Sequence, residues 1–349
     1  MPKKQPRNSF YYFMIDFKEE QRKKGTVYAN MAEVANAAGP AWTSAPPPLR
    51  AKYEAIAKVQ KQKQNVPEKK FTSTGVSLAE IAQQDAERKD AMEAEREDIH
   101  NFVVQKSVNK SIANEDIYLI DVNYYCKTST HYLIGEFTLL RFSLQDGIKN
   151  TYHELINPGI PPVGYALDVK LGCQEYGLEM PDDHSKPTNY MQVLANVVDY
   201  LKQQDAKMPS PPPVFTMPDK VEPVLDFLQF LCSGVGEDDN QFRVYKLDTL
   251  LFMVANTAAG GTDEGFPKES LALVQLKKDS FKYTPELGCE MHERGELAVQ
   301  CTSSRVKRWA YTVMDWCCPL LGVEALPGTH VPADFDVDLQ KKRNAPTRR

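Results

Sequence analysis

Ile117-Tyr118-Leu119-Ile120-Asp121-Val122-Asn123 is dense in β-branched and aromatic side chains and reads as a buried strand. Downstream of it, His131 to Phe142 and Thr151 to Ile156 read as two more strands, the second closed by the turn residues Asn157-Pro158-Gly159. A helix from Tyr190 to Gln203 comes next, then a Pro-rich loop into the strand Val214-Phe215-Thr216. A helix from Val221 to Cys232, a strand from Phe242 to Leu247, and helices beginning near Thr249 and Ser304 complete the pattern. Three strands in hairpins followed by alternating helices and strands predict a mixed α/β sheet.

Upstream of that strand the chain changes character. Residues 1–70 carry a surplus of 8 positive charges, whereas the whole chain of 349 residues has a net charge of −5. Such asymmetry points to a basic nucleic-acid-binding arm on an acidic body, and the length predicts two domains. The seven cysteines are odd in number and widely spaced, unlike a secreted disulfide framework. The basic start Met1-Pro2-Lys3-Lys4 has no apolar stretch before a cleavage site, and no apolar run reaches the roughly 18 residues of a membrane helix. The expectation is a soluble intracellular protein with no membrane partner.

Residues 1–66 have helical periodicity in three segments: one from Ser9, one from Met31 to Trp42, and one after Pro46-Pro47-Pro48. Phe10-Tyr11-Tyr12-Phe13, Trp42 and Tyr53 supply aromatics for a small core, with Lys52, Lys58 and Lys61 outside. Pro6-Arg7-Asn8-Ser9-Phe10-Tyr11-Tyr12-Phe13 and the spacing of Trp42 and Tyr53 resemble the HMG box. That resemblance implies a basic concave face for the minor groove or for distorted nucleic acid. Lys3, Lys4, Arg7, Lys52 and Lys58 are its candidate contacts; Phe10 and Tyr11 are candidates for wedging between bases or for the core. The loop before the third helix is Pro-rich where the HMG family has acidic residues, which bears on DNA bending. Residues 67–115 read as a charged linker whose Ser77–Lys106 stretch forms a solvated helix, and residues 336–349 as a basic tail.

Cys289, His292 and Cys301 form Cys-x2-His and, after eight intervening residues, a second thiol, a soft donor set suited to zinc. Glu290, Glu293, Cys317 and Cys318 compete as the fourth ligand, and spacing does not choose among them. The element order in residues 116–335 is that of an RNase H-like fold, whose nucleases hold two metals on carboxylates. Where related exonucleases carry Asp-x-Glu on the first strand, this chain has Asp121-Val122-Asn123. Asp219 and Asp248 fall near strand ends, but an amide in place of the second acid leaves a two-metal site incomplete.

The helical start, the linker, Asn157-Pro158-Gly159, Cys289-Glu290-Met291-His292 with Cys301, and Val306-Lys307-Arg308-Trp309 together resemble the Maelstrom family across about residues 1–335. That resemblance implies an α+β multidomain chain: a three-helix HMG-like box at 1–66, then a mixed α/β RNase H-like domain at 116–335. It also implies a structural zinc on Glu136, Cys289, His292 and Cys301, with Glu136 contributed by the second strand. Four protein ligands leave no open position for an activated water, so the metal's role is to fasten the last helix to the sheet.

In function, the resemblance implies an RNA-binding component of the piRNA pathway that represses germline transposons, at the perinuclear nuage in the cytoplasm and in the nucleus. Its partners would be single-stranded RNA, met by Lys307 and Arg308, DNA or structured nucleic acid at the HMG-like box, and piRNA-pathway proteins. The rival reading is a single-stranded RNA endonuclease whose catalytic residues the sequence does not identify; His131, His153 and His184 are acid/base candidates by residue type alone. A DNA-bending protein with a protein-docking second domain is a third.

Overall fold

The computed structural model describes residues 7–64, 77–108, 112–181, 186–203, 210–234, 241–261 and 263–334. Lys3, Lys4, His184 and the basic tail lie outside them. The chain divides into two compact units, Met1–Lys89 and Asp90–Arg349.

The first unit contains α1 (Ser9–Lys23), α2 (Met31–Thr43) and α3 (Pro47–Gln64). Asn8 and Asn30 start the first two helices by accepting backbone N–H groups with their side chains. At α2 the Glu33 carboxylate reaches back to the Ala29 N–H at 3.0 Å, closing a reciprocal cap. Phe13, Met14, Val34, Ala38 and Tyr53 are the buried core. Phe13 lies 5.0 Å from the Trp42 ring and 5.5 Å from Tyr53, edge-on to the latter, while the Tyr53 hydroxyl donates to Asp16 at 2.7 Å. Three helices therefore close over one aromatic cluster, as the spacing predicts.

The second unit is built on β1 (Ile117–Lys127), β2 (Tyr132–Ser143), β3 (Gly147–Leu155), β4 (Val214–Thr216) and β5 (Val244–Lys246). The sheet order is β3-β2-β1-β4-β5, antiparallel across the first three strands and parallel from β1 to β4 and from β4 to β5. Between and after the strands come α5 (Ala166–Tyr176), α6 (Tyr190–Lys202), α7 (Val221–Ser233), α8 (Leu247–Ala259), α9 (Glu269–Lys278), α10 (Glu290–Arg294) and α11 (Thr302–Leu321). Helices α5, α9 and α10 are additions to the sequence reading. Side chains alternate across a strand. Tyr118, Ile120, Val122, Phe137 and Leu139 enter one core with residues of α6 and α7. Ile117, Leu119, Leu140 and Phe142 enter the other with residues of α8 and α11. A sheet covered on both faces explains the near-continuous apolar run that opens β1.

The linker expectation needs correction. Helix α4 (Leu78–Val108) is exposed over its first turns, but Ile99 and Val103 are fully buried in the second unit's core. Glu95 accepts from the Lys246 backbone at 2.7 Å and its ammonium at 2.9 Å, and Asp98 accepts from the Tyr245 hydroxyl at 2.6 Å. Arg96 pairs with Glu269 at 2.9 Å. The second unit thus starts at Asp90, well before residue 116.

Two glycines set the position of α5. At Gly172 a Cβ would stand 2.0 Å from the Tyr125 carbonyl oxygen, so the helix lies directly on β1 only because no side chain intervenes. Gly177 ends α5 at φ +67°, in the left-handed region.

Candidate metal centre

The register of β1 on β2 sets Asn123 opposite Glu136 and Asp121 opposite Thr138, all on the face toward α11. Glu136 is fully buried. Cys289 precedes the single-turn helix α10, which carries His292 three residues on and so on the same side. Cys301 sits at the N-cap of α11, whose first turn favours negative charge. These four side chains converge, with their donor atoms all within 4.8 Å of one another.

The geometry fits zinc. Tetrahedral bonds of about 2.0–2.3 Å separate neighbouring donors by roughly 3.3–3.8 Å. Cys289 Sγ lies 3.2 Å from His292 Nδ1, Cys301 Sγ 3.2 Å from Glu136 Oε1, and His292 Nδ1 3.6 Å from Glu136 Oε1. His292 Nε2 faces the Tyr176 carbonyl at 2.8 Å, the contact that makes Nε2 the N–H and leaves Nδ1 free to ligate. The Cys289 backbone N–H donates to Cys301 Sγ at 3.2 Å. Hydrogen bonding from the Cys289 side chain holds the Cys301 thiol below the usual cysteine range, and the same contact pushes Cys289 upward. Burial alone would raise the Glu136 carboxyl; the His153 hydrogen bond and the nearby His292 outweigh it, and the net shift is downward.

Among the rival fourth ligands, Glu293 accepts from the Gly288 N–H at 2.7 Å and Glu290 pairs with Arg294 in solvent. Cys317 and Cys318 are buried in the apolar core instead. Glu136 is itself held from several sides. Asn123 Nδ2 donates to Oε2 at 2.6 Å, the Thr302 N–H reaches the same oxygen at 3.3 Å, and His153 Nε2 meets Oε1 at 2.8 Å. Asn123, read in the sequence as an amide in place of an acid, and His153, read as an acid/base candidate, both turn out to support Glu136, with Arg305 behind them; only folding connects the three. His131 stacks on Phe230 with ring centroids 4.8 Å apart, a packing role away from the cluster.

Next to this cluster lies the Asp121-Val122-Asn123 stretch of β1. Asp121 is fully buried, and Arg305 Nε donates to it at 2.6 Å. Arg305 also donates to the Asn123 amide oxygen and, at 2.8 Å, to the Gln300 carbonyl. Lys220 places its ammonium 4.0 Å from Asp121 and donates to the Val122 carbonyl at 3.0 Å. Two protein cations thus face Asp121. Asp219 is exposed beyond them, and Asp248 lies buried at the start of α8, where burial raises its carboxyl.

The Maelstrom family model, described as a piRNA pathway germ-plasm component, matches residues 125–337, a span holding all four donors. The chain belongs to the Maelstrom family. The maelstrom homolog of Culex quinquefasciatus is 30% identical over 344 residues, covering 95% of this chain and 67% of its own. Protein maelstrom 1 of Drosophila persimilis is 27% identical over 347 residues, covering 95% and 77%. Protein maelstrom of Drosophila melanogaster is 28% identical over 272 residues, covering 76% and 59%. Among solved structures, E. coli exonuclease I with a bound oligonucleotide aligns over 60% of this chain and 42% of its own, with a TM-score of 0.35 and 11% identity. A full-length 3'-exonuclease aligns over 58% and 83%, with a TM-score of 0.34 and 16% identity.

In this member of the Maelstrom family the expected nucleic-acid contacts separate by exposure. Arg7, Lys52 and Lys58 are exposed, with Arg7 over the Tyr11 ring at 4.7 Å and Lys52 over Tyr53 at 5.1 Å. Phe10 and Tyr11 are half-buried, and Phe10 lies 5.9 Å from Trp42, on the core side. Lys307 is half-buried and donates to the Leu287 carbonyl at 2.9 Å. Arg308 corrects the sequence expectation. It is 2% exposed, donates to the Lys282 and Val299 carbonyls at 3.2 and 2.9 Å, and faces Asp279 at 3.4 Å. Helical position put it on the packed side of α11, where it ties down the preceding loop. No helix among the described residues is long and apolar enough to cross a membrane.

Proposed function

We propose that the chain is an RNA-binding component of the piRNA pathway that represses transposable elements in the germline, at the nuage and in the nucleus. The first unit acts as an HMG-like attachment to nucleic acid through Arg7, Lys52 and Lys58. The second binds single-stranded RNA on a body stapled by structural zinc. Glu136, Cys289, His292 and Cys301 would hold the ion, which supplies a cross-link between β2 and the start of α11 rather than a reaction centre. The observation that carries the non-hydrolytic reading is Arg305 and Lys220 at Asp121. Cationic side chains at the one acid of the site oppose a second positive charge there, so Asp121 serves as their counter-ion.

The test is binding and turnover of labelled single-stranded RNA by the full chain, with and without chelator present during the assay. Retarded but intact RNA supports the scaffold; absence of binding overturns it. A second reading, cleavage without the usual acids, is favoured by one feature. His153 lines a cavity of about 610 Å³ with Glu179, Glu290 and Arg294 while contacting Glu136. Chelator-resistant cleavage that disappears in His153→Gln would establish it.

A further inference from the structure

A second cavity of about 320 Å³ opens beside Tyr176 and Arg305, next to the candidate metal cluster. Lys220, Arg305 and Lys277 line it together with Tyr176, and the acids Glu175, Asp219 and Asp279 are also among its lining. We propose that this cavity seats one phosphate of a single-stranded RNA, held by Lys220 and Arg305 in place of metal ions. The inference rests on the RNA-binding reading above and gives it an address.

The donors are arranged for an incoming anion. Lys220 is only 9% exposed, yet among the described residues its hydrogen bond to the Val122 carbonyl engages a single N–H of an ammonium that has three. The ring of Tyr176 lies 4.8 Å from that ammonium and fixes it against the cavity wall. Among the described residues Arg305 uses Nε and one N–H on each terminal nitrogen, which leaves two of its five guanidinium N–H groups. Asp121, behind both, does for these cations what it would do for a metal: it holds positive charge at the cleft floor. The acids do not cancel this. Glu175 and Asp219 are exposed at the mouth, where water screens them, and Asp279 faces Arg308 at 3.4 Å. An anion entering the cavity meets the floor in a lower dielectric, where each charge acts more strongly. Lys277, exposed at the rim, is placed to meet the next phosphate.

Fluorescence anisotropy of the zinc-loaded full chain with a labelled single-stranded oligoribonucleotide tests this. Lys277→Glu changes an exposed side chain, Lys220→Met reaches the floor, and both are checked by thermal melting. Each is expected to weaken binding about tenfold and to flatten its salt dependence, with the melting midpoint of Lys277→Glu unchanged. Asp219→Asn is expected to tighten it. Wild-type affinity and salt slope in Lys277→Glu and in a folded Lys220→Met overturn the cavity assignment while leaving RNA binding intact. No binding by the wild type overturns the functional reading instead.

Discussion

At the residue scale the decisive pair is Asp121 and Arg305, 184 positions apart and 2.6 Å from each other. Removing one partner of a buried ion pair strands the other charge, at a cost of about 3–5 kcal/mol. Arg305→Leu is therefore expected to lower the unfolding free energy of the second unit by that amount, read from denaturant melts followed by circular dichroism at constant zinc. A second substitution asks whether the missing acid can be put back. Asn123→Glu would set a carboxylate where an amide now donates to Glu136 at 2.6 Å. Two facing carboxylates repel, so the variant is expected to bind zinc more weakly in a competition with a metal dye and to gain no magnesium-dependent exonuclease activity. Cys289, His292 and Cys301 were legible because one short loop carries them all. Glu136 came only through family resemblance, since 153 residues separate it from Cys289 and nothing local marks it. Nothing local in the sequence pairs Arg305 with Asp121, since the two meet only through folding.

At the element scale, strands revealed themselves through composition and α4 did not. Ile99, Phe102 and Val103 fall three and four residues apart, a genuine apolar stripe, but it occupies one end of a 31-residue helix rich in Glu, Gln, Lys and Arg. Averaged over that length the stripe vanishes, which is why the segment read as solvated. Phe102 lies 6.4 Å from the Phe215 ring, and Ile99 and Val103 fill the core beneath. A fragment beginning at residue 116 is expected to expose that surface and aggregate, whereas one beginning at residue 90 remains monomeric and melts cooperatively, as size-exclusion chromatography and calorimetry would register. Deleting a buried isoleucine side chain to alanine costs about 2–5 kcal/mol, so removing both residues exceeds what a marginally stable unit tolerates. Short α10 was missed for the opposite reason: five residues give too little periodicity to detect.

For the whole molecule, the two units have different sources of cohesion. Helices α1 to α3 close over aromatic rings, whereas the second unit adds a polar cross-link between β2 and the loop ahead of α11. Metal binding energy at such a site is folding energy. Chelation is expected to lower the melting temperature of the second unit while leaving the transition of the first in place, giving two resolved calorimetric peaks. A single peak that shifts as one would contradict this division. Within the second unit a position lacking any functional group has unexpected leverage. Because nothing projects from Gly172, α5 rests on the backbone of β1 and its last residue, Tyr176, offers its carbonyl to the imidazole of His292. A methyl group at position 172 would pry that helix outward, release the proton-fixing contact, and let the ring present the wrong nitrogen to the other three donors; the most inert residue in the neighbourhood is a keeper of tautomeric identity.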